Sequence, residues 1–156
     1  MKVAIRIARI LVPVDGSEYS RHAAQHAVRI AQAYGAEVVF LHVVDDQLVS
    51  QLADLEANGP ERARERLAAQ GAVYLRDVAQ LADQCGLAHR EQVADGDPCA
   101  VISETAVHLG ADLVVMGKIG RRGTRRILVG SVTRRVIESV DLPVLVVSAP
   151  PTDAAL

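Results

Sequence analysis

The sequence predicts one α/β domain: a doubly wound open sheet of five parallel strands, order 3-2-1-4-5, with helices on both faces. Three observations predict it. Apolar runs of strand length alternate with helix-period segments along all 156 residues. Hydrophobic residues make up 50% of the chain and aromatics only 3%, so the core must be Val, Ile, Leu and Ala, the usual filling of a helix-covered parallel sheet. Repeated strand–helix–strand units, in turn, require parallel pairing through right-handed crossovers.

The elements follow in order. Residues 7–14 read as the first strand, and Asp15-Gly16-Ser17 turns the chain. Ser17 or Ser20 can cap a helix whose apolar face includes Ala24, Ala27, Val28 and Ala31, with Gly35 as its stop. Residues 37–44 form a nearly all-apolar second strand. The stretch 45–59 reads as a long connection, helical in part or mobile. Pro60 suits the first turn of a long helix running to Cys85, with Gly86 as its stop. A weaker third strand covers 89–94. Asp97-Pro98 supplies an N-cap and first turn for a helix ending at Gly110. Residues 113–116 form a short buried strand, Ser131 opens a helix to Ser139, and 143–147 form the last strand. The domain is drawn as 1–148, and 149–156, with Pro150 and Pro151, as a disordered tail.

Composition excludes several functions. A net charge of −2 argues against general nucleic-acid affinity, which needs a broad cationic surface; any anion site must be local. Cys85 and Cys99 have neither CxxC spacing nor a Cys/His cluster, so a buried reduced thiol is expected of each and a metal site is not. Arg6 and Arg9 break the N-terminal apolar stretch before a secretory h-region can form, and no stretch is long and apolar enough to span a bilayer. A cytoplasmic protein is expected. His22 and His26, four apart, lack a third ligand; His42 and His108 read as packing or edge residues. Ser17, Ser103 and Ser148 lack the G-x-S-x-G nucleophile pattern.

In an open doubly wound sheet the ligand crevice lies where the winding reverses, beyond the carboxyl ends of the strands. With order 3-2-1-4-5 that is between strands 1 and 4, which are followed by Asp15-Gly16 and by residues 117–120. There the chain reads Gly117-Lys118-Ile119-Gly120, then 121–129 with Arg121, Arg122, Arg125 and Arg126, then Gly130-Ser131-Val132-Thr133. Glycines let backbone N–H groups approach an anion, a helix start offers unpaired N–H groups, and Ser131 and Thr133 add hydroxyls. The pattern is neither a Walker A loop nor a GxGxxG fingerprint. A strand-to-helix loop with turn glycines and a serine cap is the plainer reading of the same residues, as a turn is of Asp15-Gly16 and a solvated face is of the arginines.

At these residues the sequence resembles the ATP-binding branch of the universal stress protein family. Gly117, Gly120, Gly130 and Ser131 fit its G-x2-G-x9-G-[ST] pattern without a gap. The resemblance extends to residues 10–15 at strand 1, Leu41-His42-Val43, Gly96-Asp97-Pro98 and the last strand. It implies a Rossmann-like fold akin to the adenine nucleotide alpha hydrolases and a set of site residues. Pro13, Val14 and Asp15 would line adenine and ribose, with Val43 giving main-chain contacts to the base. Met116 and Gly117 would border the ribose. Gly120, Arg121, Gly130, Ser131, Val132 and Thr133 would hold the phosphates of ATP with Mg²⁺ or Mn²⁺, Asp15 or Ser131 being the protein groups within reach of the metal. The family often places a small hydroxyl residue and a variable one between the first two glycines, where this chain has Lys118-Ile119.

The expected function is an ATP-binding regulatory module in stress response, with no assigned catalytic residue. The alternatives are a slow ATP hydrolase of the same superfamily and a dimeric scaffold that binds no nucleotide. Asp15 is the one candidate base. A homodimer through the last strand is expected, because Pro143, Val144 and Val146 would lie at an apolar sheet edge; the resemblance implies the same pairing.

Overall fold

A computed structural model describes residues 4–55, 59–120 and 128–149. Its ten elements are β1 (Arg9–Pro13), α1 (Glu18–Tyr34), β2 (Glu37–Asp45), α2 (Asp46–Ala53), α3 (Gly59–Gln84), β3 (His89–Gly96), α4 (Pro98–Leu109), β4 (Leu113–Gly117), α5 (Ser131–Ser139) and β5 (Val144–Val147). The strands form one sheet in the order β3-β2-β1-β4-β5. All four pairings are parallel, β1 lying centrally between β2 and β4. The predicted order and winding are those observed.

Side chains alternate across a strand, and the sheet sorts its apolar residues accordingly. Ile10, Val12, Val38 and Phe40 face a core completed by Ala24, Ala27 and Val28 of α1 and by Leu75 and Val78 of α3. Leu11, Val39, Leu41 and Met116 face the other way, against Cys99 and Ile102 of α4 and Val136 of α5. The alanine face of α1 lets that helix lie close on the sheet, which brings its first turn against the end of β4.

Local signals set the helix limits as the sequence predicts. Ser17 caps α1 by accepting from the Ser20 N–H, and Asp97 caps α4 by accepting from the Ala100 N–H. Gly35 and Gly110 end those helices in the left-handed conformation, at φ 68° and 61°.

One stretch left open as helical in part or mobile is helical in part, and one expectation changes. The connection after β2 contains a helix, α2, whose N-terminus is capped by the Asp45 carboxylate accepting from Gln47 N–H at 2.9 Å. Its eight residues bury only Val49, packed against Val44 and Ala63, too little for a readable apolar period. The cysteines also differ from each other: Cys99 is buried, whereas Cys85, just past the end of α3, is exposed; both are free thiols. Of the predicted tail only Ala149 lies among the described residues. Among the described residues no helix is long and apolar enough to cross a membrane.

Candidate functional site

β1 and β4 are neighbours whose chains leave in different directions, β1 into α1 and β4 toward α5. The resulting crevice opens into a cavity of about 690 Å³ beyond the carboxyl ends of the strands, within the roughly 300–1,000 Å³ usual for small-molecule sites. Its walls include Pro13, Val14 and Asp15 after β1, Val43 on β2, Met116 and Gly117 on β4, and Gly120, Gly130, Ser131, Val132 and Thr133 around the start of α5. Those are the expected site residues except Arg121, which lies outside the described residues, as do Arg122, Arg125 and Arg126.

The glycines have separable reasons. A side chain at Gly117 would place Cβ 2.7 Å from Cβ of Tyr19 and 2.9 Å from its carbonyl carbon. Gly117 therefore lets β4 meet the first turn of α1. At Gly120 a Cβ would stand 3.0 Å from Oδ2 of Asp15, which brings the Asp15 carboxylate and the glycine loop together at the crevice. A Cβ at Gly130 would meet Gly120 N, Ile119 Cα and Lys118 O, all at 3.4 Å. Gly130 closes the loop on itself.

Backbone hydrogen bonds fix that loop. Lys118 N–H donates to the Val147 carbonyl and Gly130 N–H to the Lys118 carbonyl, both at 2.8 Å. Lys118 thus serves through its main chain, and the cavity wall beside it is Ile119 and Gly120. Thr133, expected among the residues that hold the phosphates, is buried at the cavity wall and gives its hydroxyl proton to the Gly117 carbonyl at 2.8 Å. It ties α5 to β4.

The start of α5 is chemically distinct. Side chains cap α1, α2 and α4, but α5 begins at Gly130 with no side-chain cap. Its first N–H groups, the positive end of its dipole and the exposed Ser131 stand at the cavity wall, the local anion-attracting feature expected of a chain with net charge −2. Asp15 contributes at the other side, with Oδ1 accepting from Ser17 N–H at 2.9 Å. It forms the turn and faces the loop at once.

Several cavity residues lie outside the glycine pattern. His42 donates from Nδ1 to the Val14 carbonyl at 2.7 Å, a direction fixed because a carbonyl only accepts. Its ring meets Tyr74 edge-on at 5.8 Å between centroids, and a Cβ at Gly71 would fall 2.1 Å from His42 Cδ2. His42 is thus the packing residue expected, and it also lines the cavity. The signal available was Gly71 inside a helix, where glycine costs about 1 kcal/mol unless something approaches closely. Asp97 and Arg135 also line the cavity, joined by two bonds of 3.1 Å. Backbone donation from Ala100 and the Arg135 guanidinium hold the Asp97 carboxyl below its ordinary range. His26 and His108 are exposed, and among the described residues no three His, Cys, Asp or Glu side chains converge on a metal position.

A sequence model of the universal stress protein family matches residues 6–148. The chain belongs to the universal stress protein family. It is 41% identical over 143 residues to universal stress protein MJ0531 of Methanocaldococcus jannaschii, covering 91% of this chain and 82% of that one. Universal stress protein MJ0577 of the same organism is 27% identical, covering 93% and 97%. The solved structure of MJ0577 superposes with a TM-score of 0.82 at 26% identity, over 94% of this chain and 99% of that one. A universal stress protein solved in complex with cAMP superposes with a TM-score of 0.69 at 25% identity, over 93% and 99%.

Proposed function

We propose that this protein is an adenine-nucleotide-binding regulatory module that takes ATP in the crevice between β1 and β4. One observation carries the reading. The uncapped start of α5 stands with Ser131 at a cavity whose walls also include the apolar Pro13, Val14, Val43 and Met116, so an anion-attracting end and an apolar surface lie in one space. The cAMP complex of a family member supports the nucleotide class. The nucleoside would lie toward Asp15 and Val43, and the phosphates toward Gly120, Gly130, Ser131 and Val132. A divalent Mg²⁺ or Mn²⁺ would arrive with the phosphates, because the protein offers Asp15 and Ser131 rather than a preformed ligand set. The protein would act in the cytoplasm, as a homodimer whose contacts respond to nucleotide occupancy.

The test is calorimetry on protein stripped of bound nucleotide, titrated with Mg-ATP, ADP, AMP and adenosine. The expected result is saturable ATP binding with one site per chain. Absence of heat and of thermal stabilisation at millimolar ATP would overturn the reading and favour a scaffold. As purified, the protein should release ATP on heating; release of ADP would instead favour the hydrolase.

A further inference from the structure

We propose that Arg135 makes this site selective for the length of a nucleotide's phosphate chain, with Asp97 as the fixed carboxylate whose charge it offsets. The inference rests on the nucleotide reading above and deepens it.

The geometry starts from the helix. Arg135 lies four residues beyond Ser131, so both occupy one face of α5. Helical side chains lean toward the N-terminus, which carries Arg135 back over the turn whose N–H groups are uncapped. Both residues line the cavity. On the opposing element Asp97 begins α4 and takes Arg135 Nη1 on Oδ1 and Nη2 on Oδ2, each at 3.1 Å. The two side chains are 49% and 47% exposed, and ion pairs that exposed contribute little to stability. Their placement on the cavity wall is the more informative fact.

A carboxylate at an anion site is an obstacle unless neutralised. Asp97 cannot easily leave, because its Oδ2 also accepts the Ala100 N–H at 3.0 Å and thereby caps α4. Arg135 cancels that charge and, with five N–H donors of which two are used here, retains donors for an arriving phosphate oxygen. A nucleoside is indifferent to this arrangement. Each further phosphate adds negative charge near the pair, so the contribution of Arg135 rises along the series adenosine, AMP, ADP, ATP. The selected ligand class is a nucleoside polyphosphate.

Removing Arg135 and removing the Asp97 charge then have opposite consequences, which a simple strut between α4 and α5 would not produce. The experiment is calorimetry at fixed ionic strength with adenosine, AMP, ADP, ATP and inorganic tripolyphosphate, on wild type, Arg135→Gln, Arg135→Lys and Asp97→Asn. Asparagine keeps the N-cap of α4. Arg135→Gln should weaken ATP by about tenfold to a hundredfold, the scale of a lost charge-assisted hydrogen bond, weaken AMP less, and leave adenosine within about twofold. Arg135→Lys should restore part of the ATP affinity. Asp97→Asn should leave ATP binding unchanged or tighten it. Equal losses for adenosine and ATP in Arg135→Gln, or weaker ATP binding in Asp97→Asn, would overturn the proposal. Tripolyphosphate separates it from the nucleotide reading. Wild type that binds tripolyphosphate with Arg135-dependent affinity but ignores ATP would sink the nucleotide reading alone. ATP binding untouched by Arg135→Gln would sink the selectivity proposal alone, and binding of neither ligand would sink both.

Discussion

The backbone N–H of Gly130 donates to the carbonyl of Lys118 at 2.8 Å, joining the chain that leaves β4 to the chain that enters α5. The Lys118 N–H is itself held by the Val147 carbonyl at the same distance. The anion-attracting end of α5 is therefore positioned by main-chain contacts to two strands, and its geometry depends on the small volume of Gly130.

Gly130→Val should remove most of the stabilisation that ATP confers. A ligand selective for the native state adds about 2.7 kcal/mol at a hundredfold excess over Kd, which for a domain of this size is a rise of about 5–10 °C in Tm. The added Cβ would lie 3.4 Å from three backbone atoms of the loop, and the valine methyls beyond it would displace them. Gly120→Val should act similarly, since a Cβ there crowds Asp15 Oδ2 at 3.0 Å. Circular dichroism must show both variants folded; a full ATP shift retained in both would place the phosphates elsewhere.

Gly71 and His42 should be coupled in stability. Gly71→Ala drives a methyl into the imidazole, with 2.1 Å to Cδ2, and should destabilise by about 1–3 kcal/mol, the usual cost of overpacking. In a His42→Ala background the same change should cost less or even stabilise, because alanine is the better helix former. Urea denaturation of the four proteins gives the cycle. Strict additivity would mean that the helix, rather than the ring, moves to relieve the contact.

How much of this was legible depends on range along the chain. The apolar run Ile10-Leu11-Val12 and the alanine face of α1 are local patterns, and such patterns marked the elements from which the doubly wound topology and its crevice followed. The glycine and serine positions were legible for the same reason, being contiguous or in fixed spacing. Reasons that depend on distant neighbours were not. Gly117 reads in sequence as one glycine of the site loop, yet the room it leaves is taken up by Tyr19, nearly a hundred residues earlier. Thr133 looks like a phosphate donor, yet its proton goes to the Gly117 carbonyl. The Asp97–Arg135 pair joins two helices separated by a whole strand, and no local spacing announces it. α2 was legible only as a stretch helical in part or mobile, because one buried residue in eight gives no clear apolar period.

Acid should weaken the fold through Asp112. Its Oδ2 accepts the N–H groups of Ala8 at 2.7 Å and Arg9 at 3.0 Å, and those bonds hold its carboxyl below the ordinary range. A depressed folded pKa contributes stability above the unfolded value, near 3.9, and that contribution is lost as pH falls through the folded pKa. The carboxylate is only part-buried, so its contribution at neutral pH is small. Asp112→Asn should flatten the decline in stability below about pH 4 while changing Tm little at pH 7. An unaltered acid limb would assign the decline to other carboxylates.

ATP turnover should be slow. The wall groups proposed for the phosphates, backbone N–H donors and Ser131, bind ground and transition states alike, and uniform binding does not raise the chemical rate. Asp15 already accepts the Ser17 N–H, which orients it for the turn. Phosphate release should stay below about 1 s⁻¹, the lower end of typical enzymes. A faster rate that is abolished in Gly130→Val would make the hydrolase the better reading.

The last prediction concerns assembly. β5 lies at the end of the sheet order with β4 as its neighbour, so among the described strands its outer edge has no partner, and such an edge presents N–H and C=O groups for pairing. Leu145 on this strand is exposed, and the strand itself carries none of the lysines or prolines that commonly block pairing. Val144 and Val146 are partly buried, and Val144 packs against the core shared with α4 and α5, so a change there disturbs the protomer as well. Leu145→Asp is the cleaner probe, since its side chain already meets solvent and a carboxylate opposite its own symmetry mate is repelled. Sedimentation equilibrium at micromolar concentration should show a dimer for wild type and a monomer for Leu145→Asp, with Val146→Asp also monomeric but less stable. A monomeric wild type, or a dimer indifferent to both substitutions, would move the interface away from β5. Repeating the run with and without Mg-ATP then asks whether the edge responds to the crevice. Gly117 and Val147 are paired neighbours in the β4–β5 register, and Lys118 bonds to Val147, so a ligand that shifts the glycine loop acts directly on the end of the strand that would form the dimer.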